Sequence, residues 1–163
     1  MIQKWVISTI AALNANNRPG EVAAAITLGL SLGFIPANNL IWFMLLAITF
    51  FLKINFGAQM VVIAIIKIFA RFFDPLFDMA GYKILTAEPL QSLFTQWYNM
   101  PIVPFSGFNN TVVAGSIAVM LILAVPLWFL FKKLIILYRT KIRDRILSST
   151  IIKKIKNLPV ISK

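Results

Sequence analysis

The sequence predicts an all-α integral membrane protein: a broken or re-entrant helical hairpin, two further membrane helices, one interfacial amphipathic helix and a basic cytoplasmic C-terminal helix. Three observations carry this. Hydrophobic residues make up 60% of the 163 and charged residues 13%, with a mean hydropathy of +0.85, against roughly 45–50% apolar and about 25% charged in soluble domains. Residues 22–52 and 112–131 contain no charged side chain. The net charge of +11 is placed unevenly, with six Lys/Arg and four Asp/Glu before Lys132 but ten Lys/Arg and only Asp144 from there to Lys163.

No linker divides the chain, so residues 1–147 read as one helical membrane domain and residues 148–163 as a basic cytoplasmic tail. A basic tail can suit nucleic acid, but beside a spanning segment retention of cations in the cytoplasm and attraction to anionic headgroups account for it more simply. No nucleic-acid partner is expected. The absence of cysteine and histidine removes disulfides, thiolate nucleophiles, Cys/His zinc sites and the usual near-neutral proton carrier. No metal, cofactor or catalytic residue is assigned.

At the N-terminus, Lys4 precedes an apolar run as in a short signal peptide. Ile2, Trp5, Val6, Ile10 and Leu13 recur at helical spacing, which fits either an interfacial helix or one packed on the rest of the protein. Asn14 to Gly20 is a polar turn, and Pro19 with Glu21 marks a helix start, where proline loses no hydrogen bond and an acid suits the dipole.

The uncharged run 22–52 would exceed the roughly 30 Å hydrocarbon core by half as one straight helix. Pro36-Ala-Asn-Asn39 at its centre supplies a break and amides that can satisfy freed backbone groups. The two halves are short for spanning, so a hairpin that dips in and returns is expected, with two thin tilted spans as the alternative. Ala25, Gly29 and Gly33 at four-residue steps form a groove for close helix packing, expected against residues 40–52 or 112–131 of the same chain, or against a partner.

Residues 55–73, opened by Asn55, span about 27 Å at helical rise, provided that Lys67 and Arg71 extend to the interface or to Asp74 and Asp78. Lys67, Arg71, Asp74 and Asp78 form the densest ionisable group. A metal or phosphate-headgroup site is conceivable there, but pairing of Arg71 with Asp74 is the simpler reading. Residues 86–98 read as a surface helix with Leu90, Leu93, Phe94 and Trp97 on one stripe and Trp97 and Tyr98 at headgroup depth, followed by a loop over 99–110.

Residues 112–131 are the clearest spanning helix, with Gly115 allowing close packing, Pro126 inside, and Trp128, Lys132 and Lys133 at its end. Arg139 continues the basic face, and Lys153, Lys154 and Lys156 in the tail, with Lys132 and Lys133, are expected to meet anionic headgroups at the cytoplasmic surface. With the tail inside, Lys4, Arg18 and Lys53 also fall inside if residues 22–52 return, which places both termini in the cytoplasm of a multi-pass inner-membrane protein.

Arg18-Pro-Gly-Glu21, then Ala24, Gly29, Gly33-Phe-Ile-Pro36, and later Asn55, Asn109-Asn-Thr111-Val-Val-Ala-Gly115 and Tyr138-Arg139, resemble the bacterial domain-of-unknown-function family twenty sixty-two, small-protein branch. The resemblance covers residues 14–139. It implies a bacterial inner-membrane protein with no agreed activity and, as a partner, a larger membrane-anchored envelope protein. On that basis the expected function is a non-enzymatic subunit of an envelope complex, engaged in lipid transport or envelope maintenance. The alternative is a small oligomeric channel or transporter that uses the Pro36, Asn38 and Asn39 break.

Overall fold

The computed structural model describes residues 18–141. The expected helix at residues 2–13 and the tail carrying Lys153, Lys154 and Lys156 lie outside that range. All regular structure among the described residues is helical.

Helix α1, Pro19–Phe34, begins where the sequence places it: Pro19 occupies the first turn and the Glu21 carboxylate accepts the Arg18 backbone N–H at 3.3 Å. It stops at Ile35 because Pro36 drives the preceding residue into extended backbone. Asn39 opens α2, Leu40–Phe50, by accepting from Trp42 N, and Asn55 opens α3, Phe56–Phe69, by accepting from Ala58 N. A 3₁₀ turn, Ala70–Phe72, leads to α4, Asp74–Leu85. A second turn, Glu88–Leu90, leads to α5, Gln91–Tyr98, and a third, Val103–Ser106, to the long α6, Thr111–Lys141.

The sequence reading has no counterpart to α4. Asp74-Pro75 reads as a boundary, but a proline in the first turn starts a helix as readily as it ends one.

The helix directions follow from their contacts. Trp42 Nε1 donates to Leu32 O at 2.7 Å, and Leu45 and Thr49 line a cleft with Leu28 and Leu32, so α2 doubles back along α1. Residues 22–52 therefore form a helical hairpin. A Cβ on Gly29 would meet Val62 and one on Gly33 would meet Ile66, so α3 runs parallel to α1. Trp128 Nε1 donates to Gly20 O at 3.2 Å while Ile117 shares a cleft with Ile35, so α6 is antiparallel to α1. The start of α1, the α2–α3 turn and the far end of α6 thus share one end of the bundle, which carries Arg18, Lys53, Lys132, Lys133 and Arg139. The hairpin turn, Asp74 and the start of α6 gather at the other.

The groove of Ala25, Gly29 and Gly33 is thereby filled within the chain, but by α3, not by residues 40–52 or 112–131. On Gly33 an added Cβ would lie 2.6 Å from the Ile66 Cβ, and on Gly29 it would lie 2.8 Å from the Val62 Cβ. α2 carries the bulky Trp42, Phe43 and Phe50 and stands off from α1, whereas α3 presents Ala58, Gln59 and Val62 near its start and can approach. α6 packs its small face, Gly115 and Ser116, against α4 and its middle against α1.

The core is chiefly apolar, with Val22, Leu32, Ile35 and Phe77 buried, but the exterior is apolar as well. Phe51, Phe72, Leu121 and Ile122 are 73–89% exposed, while Gln59 and Ser116 are fully buried. Thr111–Thr140 is long and apolar enough to cross a membrane, and only 22% of its apolar window is buried, far less than in the core helix of a soluble domain.

Candidate functional site

The polar groups that the sequence singles out converge at the loop end of the bundle. Pro36 ends α1, and the chain needs three further residues to turn before α2 begins. Asn39 directs this turn: its Nδ2 donates to Pro36 O at 2.6 Å and its Oδ1 accepts from Trp42 N at 2.9 Å, and the side chain is buried. Its amide is thus committed to structure. Asn38 is exposed and lines the space above.

Lys67, on the last turn of α3, reaches across to the end of α1 and donates to Ile35 O at 2.5 Å. Its Nζ lies 5.8 Å from the centre of the Trp42 ring, so one ammonium caps α1 and braces the hairpin. The aromatic rings of Phe73 and Phe77 stack edge-on against Phe34, at 5.2 and 5.4 Å, and seat the start of α4 on the same helix end.

Over this floor sits a cavity of about 340 Å³ lined by Pro36, Asn38, Asn39, Asp74, Gly107 and Asn110, with Val112 and Val113 of α6. Gly107 holds a left-handed conformation, φ 70°, and a Cβ there would press within 3.1 Å of the Asn39 Cβ. Asn110 accepts Val113 N at 3.1 Å through Oδ1, leaving its NH2 to the cavity. Asp74 makes no hydrogen bond among the described residues, and its carboxylate attracts the nearby Lys67 ammonium. The cavity therefore offers one carboxylate and two amides, a set suited to binding a cationic or zwitterionic group rather than to acid–base turnover.

Of the expected ion-pair cluster, the structure keeps Lys67 and Asp74 at the same end of the bundle but does not pair Arg71 with Asp74. Arg71 is exposed, Lys67 serves a carbonyl, and Asp78 accepts a hydrogen bond from the Thr111 hydroxyl, joining α4 to α6. Arg71 lies in the 3₁₀ turn between α3 and α4 and Asp74 opens α4, so the two do not share one continuous helical face. Asn55 is separated from Pro36, Asn38 and Asn39 altogether: it caps α3 at the basic end. There Lys132 places its Nζ 4.8 Å above the Trp128 ring, with Lys133 beside it and Arg139 two turns on.

Sequence reasoning missed two residues. Gly81, in a stretch the sequence reading left unassigned, is the counterpart of Gly115. Gln59 lies inside the apolar run of α3, fully buried, with neither amide atom hydrogen-bonded among the described residues.

No model of a known protein family matches the chain, and no solved structure matches it. The chain is similar to an uncharacterised protein of Treponema pallidum (strain Nichols), 28% identical over 155 residues that cover 95% of this chain and 96% of that relative.

Proposed function

We propose that this chain is a multi-pass protein of the bacterial inner membrane, both ends cytoplasmic, that serves as a non-enzymatic subunit of a larger envelope complex. The observation that carries the reading is the apolar exterior: Phe43, Ile48, Ile65, Ile68, Leu121 and Ile122 all face outward. Leaving a large apolar side chain in water forfeits about 1.5–3 kcal/mol of burial. A hydrocarbon surround removes that penalty at every such position together.

The basic end supports the orientation, because Arg18, Lys53, Lys132, Lys133 and Arg139 gather there against Glu21, whereas Lys67, Arg71 and Lys83 away from it are matched by Asp74, Asp78 and Glu88. At helical rise α1 is about 24 Å long, so the hairpin either dips into the bilayer and returns or crosses where the bilayer thins. The parity is the same. Beyond the hairpin turn, α5 and its following loop expose Trp97, Tyr98, Ile102 and Phe105, a surface suited to headgroups or to a membrane-anchored partner. The envelope partner and a role in lipid transport or envelope maintenance rest on the family resemblance described above.

The channel reading loses ground because Asn39 spends both its amide atoms on the turn. Purification from native membranes in mild detergents should bring a stoichiometric second protein. Recovery of this chain alone in every detergent would remove the subunit reading.

A further inference from the structure

A separate cavity of about 310 Å³ opens at the loop end of the bundle, between the end of α4, α5 and the segment that leads into α6. The rings of Phe94, Tyr98 and Phe108, with Leu85, supply its apolar wall. Phe94 and Phe108 lie 6.1 Å apart with their planes inclined by 38°, and the Trp97 ring, outside the lining, crosses both at 6.0 Å with angles of 63° and 81°. Those edge contacts brace the wall. The polar lining carries no charge. The Thr95 hydroxyl donates to Gln91 O at 2.8 Å and Asn99 Nδ2 donates to Thr95 O at 2.9 Å, which leaves the Thr95 lone pairs and Asn99 Oδ1 as acceptors. The Asn109 amide and the Tyr98 hydroxyl make no hydrogen bond among the described residues and can both donate and accept.

We propose that this cavity binds one neutral pyranose sugar unit at the end of the molecule away from the basic cluster. Three features select that class together. Sugar hydroxyls donate and accept at once, as the lining does, whereas an ion would need groups of one kind and a counter-charge that no lining residue supplies. Lys83 and Glu88, the nearest charges along the chain, do not line the cavity, and Asp74, with Lys67 drawn to it, belongs to the neighbouring one, which shares no lining residue with this. A pyranose also carries an apolar face of polarised C–H bonds, which the negative face of an aromatic ring attracts. A volume of about 310 Å³ stands at the lower end of small-molecule sites and holds one ring unit, not an extended peptide. The site needs only the fold and stands apart from the subunit reading.

The test uses the full chain in a polyoxyethylene detergent, which carries no sugar, and saturation-transfer NMR with methyl β-glucoside and N-acetylglucosamine at millimolar concentration. Magnetisation should reach the ring C–H protons of both sugars, strongest on one face, and at least several-fold less should reach glucuronate or tetramethylammonium. F108L, which keeps the bulk but removes the ring, and N109A should each cut the transfer several-fold at an unchanged thermal midpoint. If F108L does not fold, N109A and Y98F decide. Displacement of the glucoside by glucosyl-diacylglycerol in nanodiscs marks a lipid-borne sugar, and stronger displacement by a chito-oligosaccharide than by N-acetylglucosamine marks a glycan chain. Displacement by neither marks a free sugar, and all three support the site. No transfer to either neutral sugar, equal transfer to glucuronate, stronger transfer to tetramethylammonium, or transfer indifferent to the substitutions would overturn it. None of those results touches the subunit reading, which copurification decides.

Discussion

Gly81 and Gly115 meet backbone to backbone where α4 crosses α6. A Cβ on Gly81 would stand 2.8 Å from Gly115 N and collide with the Thr111 carbonyl, and one on Gly115 would stand 2.7 Å from Gly81 N and collide with the Phe77 carbonyl. Main-chain atoms cannot step aside as a flexible side chain can. G81A and G115A should therefore each cost more than the usual 1–3 kcal/mol of overpacking and lower the thermal midpoint in detergent sharply. A change of a degree or two in either variant would contradict the crossing.

Gln59 supports the opposite expectation. Its amide is fully buried without a hydrogen bond among the described residues, so replacing it by Met removes a desolvation penalty of about 1–3 kcal/mol and little else. Q59M should hold or raise the thermal midpoint. A clear fall would mean that the amide is bonded in the membrane.

At the hairpin turn, neighbouring asparagines should part company. N39A removes the bond to Trp42 N and the brace to Pro36 O and should cost about 0.5–2 kcal/mol, whereas N38A, at an exposed position, should leave the melting curve where it is. Equal effects would refute the assignment of Asn39 as the cap.

Lys67 should tolerate loss of its charge poorly. K67M abolishes the donation to Ile35 O, worth about 1.5–3 kcal/mol for a charged donor. Loosening of the hairpin should appear as faster proteolysis between α1 and α2. Unchanged proteolysis would place the lysine outside the brace.

The sequence lacks cysteine, which makes topology mapping direct. Single cysteines at Ala37 and Asn109 should react with an impermeant maleimide from the outer face of intact cells, and one at Lys53 only after lysis. Labelling of Lys53 from outside would reverse the orientation.

Much of the helical architecture was legible in the long uncharged runs of the sequence and the residues that interrupt them. Pro19, Pro36 and Asn55 mark helix ends through local chemistry, and each end falls where those residues put it. The partner of the glycine groove was not legible, since Gly29 and Gly33 show only that some helix comes close, and whether it is α3 or α2 depends on the bulk of Trp42 and Phe43 in three dimensions. α4 was hidden by its own Asp-Pro start, and with it Gly81. In the cavity, Asn38 and Asp74 were singled out by type, but Asn110 and Gly107 joined them only through the return of the chain from α5.

The bond from Trp128 to Gly20 O spans the chain almost from one end to the other. The α1 and α2 walls of the apolar cleft come early in the chain and its α6 wall follows α3, α4 and α5, so the cleft is closed only once α6 is made. Until then the flank of α1 that includes Leu28 and Leu32 stays uncovered, and a chain cut before residue 111 exposes it.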